Sequence, residues 1–172
     1  MKTLENLISS YPDFPKDGIL FRDMSPILKS PSAMTLMLNQ LGDFSDRLTP
    51  DCIVGIESRG VIIGTALATR QRMGFIPIRK KGKLPGNVVG VNYSLEYGED
   101  RLEMQSDVFT KGTRVLLVDD LLATGGTVKA ASQLIEKVGG NLVGCAFVIE
   151  LLGLNGKSNI PDVPTTSLIK YE

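Results

Sequence analysis

The chain has 172 residues, 42% of them hydrophobic and 22% charged, with 19 Lys plus Arg set against 19 Asp plus Glu. That is one domain's length, enough to bury about two thirds of the unfolded surface without a disulfide or metal staple. A net charge of zero argues against a strongly basic nucleic-acid binder, and the absence of His removes Ser-His-Asp and Cys-His triads and all His metal sites.

In chain order, Met1 to Ser10 lacks the apolar core of a signal peptide. Leu4 to Tyr11 predicts a short helix, broken by Pro12 and Pro15, with a turn at Asp17-Gly18. Leu20-Phe21-Arg22-Asp23 reads as an extended piece or a loop. Ser30-Pro31 starts a helix, with Ser at the N-cap and Pro at the first helical position. Met34, Met37, Leu38, Leu41, Phe44 and Leu48 then recur at helical spacing.

From Cys52 the pattern changes to short apolar runs suited to buried parallel strands: Cys52 to Ile56, Phe75 to Ile78, Arg114 to Val118, Asn141 to Ile149, and a fifth over Thr166 to Lys170. Helices are expected between them, over Val61 to Met73 and from Val128 to Val138 before Gly139-Gly140. Arg79 to Gly90 reads as a basic, Gly-containing loop. Val91 to Leu95 and Arg101 to Met104 read as two strands of a ribbon. Cys52 and Cys145 lie in apolar runs with no CxxC, so a cysteine zinc site is excluded; they read as buried thiols of a reducing, cytoplasmic compartment. No apolar stretch approaches the roughly 18–20 residues of a membrane span. The expected fold is α/β: a mostly parallel twisted sheet with flanking helices, in one domain over 1–172.

Ligands of such sheets gather at the carboxyl ends of strands, and two unusual loops lie there, 57–60 and 119–127. In the second, Asp119 and Asp120 follow a buried strand directly, and Thr124-Gly125-Gly126-Thr127 opens a helix. The glycines allow a tight turn that exposes N–H groups at a helix N-terminus, an anion site to which the Thr124 and Thr127 hydroxyls add donors. Carboxylates are acceptors, suited to sugar hydroxyls or hydrated Mg²⁺. Acceptors beside an anion nest suggest a sugar phosphate. An ordinary capped surface turn is the bland alternative. The segment is not a P-loop, since no Lys follows the glycines, nor a dinucleotide fingerprint, since no two glycines are two positions apart.

Val115 to Thr127 resembles the phosphoribosyl-diphosphate motif of the type I phosphoribosyltransferase family. Phe14 to Asp23 resembles the N-terminal base-binding segment of that family's adenine-using members. Glu57-Ser58-Arg59-Gly60 is similar to their diphosphate loop. Arg79 to Gly86, with Ser94 to Gly98, is similar to their flexible catalytic loop. The resemblance covers about 14–150 in the same order. It implies transfer of 5-phosphoribosyl from 5-phosphoribosyl 1-diphosphate to adenine, giving AMP and diphosphate, with Mg²⁺ as cofactor and a homodimer as the assembly. Within the chain it implies a base-binding segment over 1–30 and a flexible loop and ribbon over 79–104.

By the same resemblance, Ala123, Thr124, Gly125, Gly126 and Thr127 hold the 5′-phosphate, and Asp119 and Asp120 take the ribose. Ser58, Arg59, Gly60, Arg79 and Lys83 meet the diphosphate, with Arg59 also catalytic. Leu20, Phe21 and Arg22 hold adenine. Mg²⁺ is carried mainly through the substrate, with Asp119 and Asp120 the side chains able to join it. Glu96 is the candidate for proton handling near N7 of the purine, because a partly buried carboxyl can be lifted toward neutrality. A surface acid at a ribbon turn is its alternative, and a solvated charge run is the alternative for Arg79-Lys80-Lys81. Loop 79–98 reads as a lid that excludes water from an oxocarbenium-like centre. A regulatory protein on this fold would need an added DNA-binding domain or basic face, which 172 neutral residues do not offer. Segment 14–23 and Ser94 to Gly98 speak against transfer to a 6-oxopurine or a pyrimidine.

Overall fold

A computed structural model describes residues 3–94 and 99–172. Its N-terminal segment carries a 3-10 turn over Glu5–Leu7 and a small antiparallel pair, β1 (Ser9–Tyr11) with β2 (Phe21–Asp23). The helix expected over Leu4 to Tyr11 therefore stops at Leu7. Ile8, Ser9 and Ser10 are weak helix formers, and Pro12 drives Tyr11 into extended backbone, where β2 supplies a partner.

Helix α1 (Ser25–Lys29) was not legible as a separate element. Helix α2 (Pro31–Leu48) begins as expected, with Pro31 in the first turn and the Ser30 side chain accepting from the Ala33 amide at 3.4 Å. Then follow β3 (Cys52–Ile56), α3 (Arg59–Gln71), β4 (Gly74–Lys80), β5 (Val88–Ser94), β6 (Glu99–Gln105), β7 (Thr113–Leu122), α4 (Gly126–Lys137), β8 (Gly140–Leu151) and β9 (Thr165–Tyr171).

Seven strands form one sheet in the order β5-β6-β4-β3-β7-β8-β9. The five from β4 to β9 run parallel, and β6 and β5 add an antiparallel ribbon to the β4 edge. Alternate residues of the buried strands feed two cores, as the two-residue period of a strand requires. Val54, Val115, Leu117 and Phe147 pack with Val128, Leu134 and Ile135 of α4. Ile53, Leu116, Val118 and Val148 pack with Met37 and Leu41 of α2 and Ile63 and Leu67 of α3 on the other face. Among the described residues, no helix is long and apolar enough to cross a membrane.

The order places β3 and β7 side by side while their chains leave in opposite directions, β3 through α3 to β4 and β7 through α4 to β8. A crevice opens where the two connections diverge, at the carboxyl ends of β3 and β7.

Several strands outrun the sequence reading. β7 continues through Asp119 and Asp120 to Leu122, where a loop was expected, because β8 runs alongside and pairs Asp119 with Phe147 and Leu121 with Ile149. β4 extends through Arg79 and Lys80, paired with Glu103 and Leu102 of β6. The ribbon is longer than expected on the same principle, each strand providing the other's backbone partners from Val88↔Gln105 to Ser94↔Glu99.

Candidate active site

The crevice is assembled by a close approach of two elements. A Cβ on Gly60 would sit 2.7 Å from Asp119 Oδ1 and 2.8 Å from the Val118 carbonyl, so only glycine lets the first turn of α3 rest on the end of β7. Just before it, the Glu57–Ser58 peptide is cis. Arg59 Nε then lies 2.5 Å from Asp120 Oδ2, and the Arg59 guanidinium stands 5.3 Å from the Phe21 ring centroid. One side chain thus joins the acid pair to the N-terminal segment.

The two acids differ in environment. Asp119 is only 8% exposed, and its Oδ1 accepts the Asp120 amide at 2.9 Å. Burial, reinforced by the neighbouring Asp120 charge, pushes the Asp119 carboxyl well above the usual carboxylate range. A cation arriving beside it would favour the ionised form and reverse that shift.

After β7 the chain turns through Ala123 and Thr124 to Gly125, which adopts the left-handed conformation at φ +81° and leads into α4. Thr127 lies in the first turn of α4 and shares the cleft wall with Tyr93 of β5, whose phenol donates to Asp100 Oδ2 at 3.3 Å. The arrangement is that of an anion site: a glycine turn followed by a helix N-terminus.

The cations expected to meet a diphosphate are gathered elsewhere. Glu57 accepts from Arg79 Nε at 3.2 Å, from the Lys80 amide at 2.9 Å and from the Lys83 ammonium. Burial would raise the Glu57 carboxyl, but these three donors outweigh it and hold the group at about 2. Lys80 instead lines the cleft, its ammonium 3.0 Å from Asp100 Oδ2. Successive residues of a strand point to opposite faces. Reading β4 through to Lys80 would have separated Arg79 from Lys80 on sequence alone.

The cleft has a volume of about 990 Å³. The sequence-selected Leu20, Phe21, Arg22, Ser58 and Arg59 border it on one side, and Asp119, Asp120, Ala123 and Thr127 on the other. Thr124, Gly125 and Gly126 lie in the turn between Ala123 and Thr127 without bordering the cleft themselves, and neither do Gly60, Arg79 or Lys83. Glu96 lies outside the described residues. The sequence reading missed Lys80 and Tyr93, and also Leu151, Leu154 and Tyr171 from the C-terminal part.

The base-side wall is an apolar lip. Leu20 is 47% exposed, and Phe21 packs edge-on against Phe14 with centroids 5.2 Å apart. Arg22 is engaged within the protein: Nη1 donates to Ser10 Oγ at 2.6 Å, and the guanidinium lies 3.9 Å over the Tyr171 ring. Its side chain ties β2 to β9 at the edge of the cleft.

Residues 32–169 match the model of the phosphoribosyl transferase domain family. The chain is 60% identical over 169 residues to the adenine phosphoribosyltransferase of Prochlorococcus marinus strain MIT 9313, covering 98% of each. It is similar to the crystal structure of adenine phosphoribosyltransferase from Thermoanaerobacter pseudethanolicus, with a TM-score of 0.95 and 42% identity over 98% of this chain and 100% of that one. It is also similar to the Saccharomyces cerevisiae enzyme complexed with an imino-altritol bisphosphate and adenine, with a TM-score of 0.90 and 39% identity over 96% of each chain.

The Glu57 cluster predicts a pH signature. A carboxyl whose folded value is depressed stabilises the fold above its unfolded value of 4.5 and loses that contribution as pH falls toward about 2. Glu57→Gln should therefore unfold at lower urea concentration than the native chain at pH 7, and the gap should close between about pH 5 and pH 2. A gap that stays constant through that range would show that the cluster does not hold the carboxylate.

Proposed function

The chain belongs to the phosphoribosyltransferase family, among the adenine phosphoribosyltransferases, and on that premise we propose how its cleft forms AMP from adenine and 5-phosphoribosyl 1-diphosphate. The observation that carries the proposal is the convergence of three unlike surfaces on one cleft: an apolar lip at Leu20 and Phe21, the acid pair Asp119 and Asp120, and the two ends, Ala123 and Thr127, of a glycine turn at a helix N-terminus.

The 5′-phosphate sits on the turn 123–127, where backbone amides and the Thr124 and Thr127 hydroxyls donate. Asp119 and Asp120 accept the ribose hydroxyls. As the bond to diphosphate lengthens, positive charge grows at the anomeric carbon, and two carboxylates held nearby stabilise it more than they stabilise the ground state. The raised Asp119 carboxyl suits this role, because it gains most when a cationic centre forms beside it.

Ser58, Arg59 and Gly60 receive the departing diphosphate at the start of α3. Arg59 meets Asp120 through Nε, and its two terminal amino groups would fork onto phosphate oxygens. Arg79 and Lys83 join from the Glu57 cluster, and Lys80, on the cleft wall, is added to the set. Adenine rests against Leu20 and Phe21, its amine facing backbone acceptors of 20–22. Glu96, between β5 and β6, handles the purine proton. Closure of loop 79–98, whose Tyr93 already lines the cleft, would exclude water from the cationic centre.

Mg²⁺ fits these residues only as a substrate-borne ion. Among the described residues no group of three or more acidic, Cys or His side chains is placed to cage a metal, and Asp120 already meets Arg59. Asp119 and Asp120 would hold the ion together with the diphosphate, where it would neutralise leaving-group charge. A second copy of this chain completes the assembly that the resemblance implies, a homodimer that sedimentation would read directly. A cytoplasmic location agrees with the two buried free thiols, Cys52 and Cys145.

Purified protein supplied with Mg²⁺, 5-phosphoribosyl 1-diphosphate and single nucleobases should form the nucleotide from adenine and not from hypoxanthine, guanine or uracil; a nucleotide from another base alone would refute the base assignment. The double variant Asp119→Asn, Asp120→Asn should lose at least ~10³-fold in turnover while keeping its circular dichroism. Normal turnover would remove the acids from the ribose role.

A further inference from the structure

The connection from β8 to β9 contains no α-helix; it folds into two 3-10 turns over Leu152–Leu154 and Gly156–Asn159. Its second turn is wedged under the turn 123–127. The Ala123 carbonyl fills the space that a side chain on Gly156 would need, and the Gly156 carbonyl fills the space that a side chain on Gly125 would need. Asn159 Nδ2 donates to the Thr124 carbonyl at 2.8 Å, across 35 positions of sequence. The Gly125 carbonyl accepts the Lys129 amide inside α4. Three successive carbonyls, at 123, 124 and 125, are thereby committed to protein partners or pressed against them.

Carbonyl oxygens carry negative partial charge and repel an anion, whereas amide N–H groups attract it. In a turn of this kind the two alternate sides of the peptide plane compete for the same space. Fixing each oxygen on the side of 156–159 or of α4 turns the amides to the other side. The wedge is itself anchored: Lys157 Nζ lies 3.6 Å from Glu150 Oε2, a carboxylate only 5% exposed, and Asn155 enters the turn in the left-handed conformation at φ 49°.

We propose that Gly156 and Asn159 are positioning residues of the 5′-phosphate subsite, holding the Ala123 and Thr124 carbonyls away from the anion so that the turn presents donors alone. The proposal rests on the reading of 123–127 as the phosphate turn. Asn159 itself is exposed and does not border the cleft. Its effect is confined to one phosphate of a substrate that carries two phosphate-bearing ends. The diphosphate end, at Ser58 and Arg59, lies on another element and should not sense the change.

The test is calorimetric titration with two separate probes, ribose 5-phosphate for one end and inorganic diphosphate for the other. Asn159→Ala should weaken ribose 5-phosphate about five- to tenfold, the cost of one lost hydrogen bond. Diphosphate affinity should stay within twofold and the thermal midpoint should fall by no more than about 4 °C, the stability cost of the same bond. Asn159→Asp, of similar size but with an acceptor where the donor was, should weaken ribose 5-phosphate further than Asn159→Ala. Thr127→Val serves as the control for the turn itself. If Thr127→Val weakens ribose 5-phosphate and Asn159→Ala does not, the turn is the subsite and the positioning role is overturned. If neither weakens it, the reading of the turn falls and the proposal with it. Equal loss of both probes would make the wedge general scaffold and would also overturn the proposal.

Discussion

The cleft depends on one missing side chain. Without a Cβ at Gly60, the first turn of α3 lies against Val118 and Asp119 at the end of β7. Every other feature of the site follows from that approach. It brings Arg59 within 2.5 Å of Asp120, buries Asp119, and sets the start of α3 beside the turn that starts α4. Two helix N-termini then face one crevice, each favouring negative charge. The acid pair lies between them, where a neutral ribose and not a phosphate would meet it. A sugar carrying phosphate groups at its two ends matches that alternation of charge.

The same geometry explains how a neutral protein handles a highly charged substrate. Around the cleft the positive charge is local and already paired. Arg59 is held by Asp120, Arg79 and Lys83 by Glu57, and Lys80 by Asp100. Paired cations keep their orientation at low cost in side-chain entropy, and a dianionic ligand can compete for them when it arrives. The N-terminal segment is secured in the same manner, by Arg22 between Ser10 and Tyr171 and by Arg59 over Phe21.

Much of this was legible in the sequence. Ser30-Pro31 marked the start of α2, apolar runs marked the buried strands, and of the motif at 119–127 the structure puts Asp119, Asp120, Ala123 and Thr127 on the cleft. These signals are local, and local chemistry decides them. The errors arose where a distant partner decides. Tyr11 is extended because β2 pairs with it, and β7 reaches Leu122 because β8 runs beside it. Lys80 separates from Arg79 because β6 prolongs β4. Tyr171 and Asn159 are ordinary polar residues in a tail without motif. Their importance comes from Arg22 and Thr124, more than 30 positions away, and no window of sequence contains both members of either pair.

The central claim is that the glycine turn and the acid pair grip opposite groups of one phosphorylated pentose. A crystal of the protein grown with Mg²⁺ and 5-phosphoribosyl 1-diphosphate tests it most directly. The account predicts the 5′-phosphate within hydrogen-bond reach of the backbone amides of 125–127, the ribose hydroxyls on Asp119 and Asp120, and the diphosphate at Ser58 and Arg59. A 5′-phosphate bound away from that turn, with the acids facing no sugar oxygen, would contradict it.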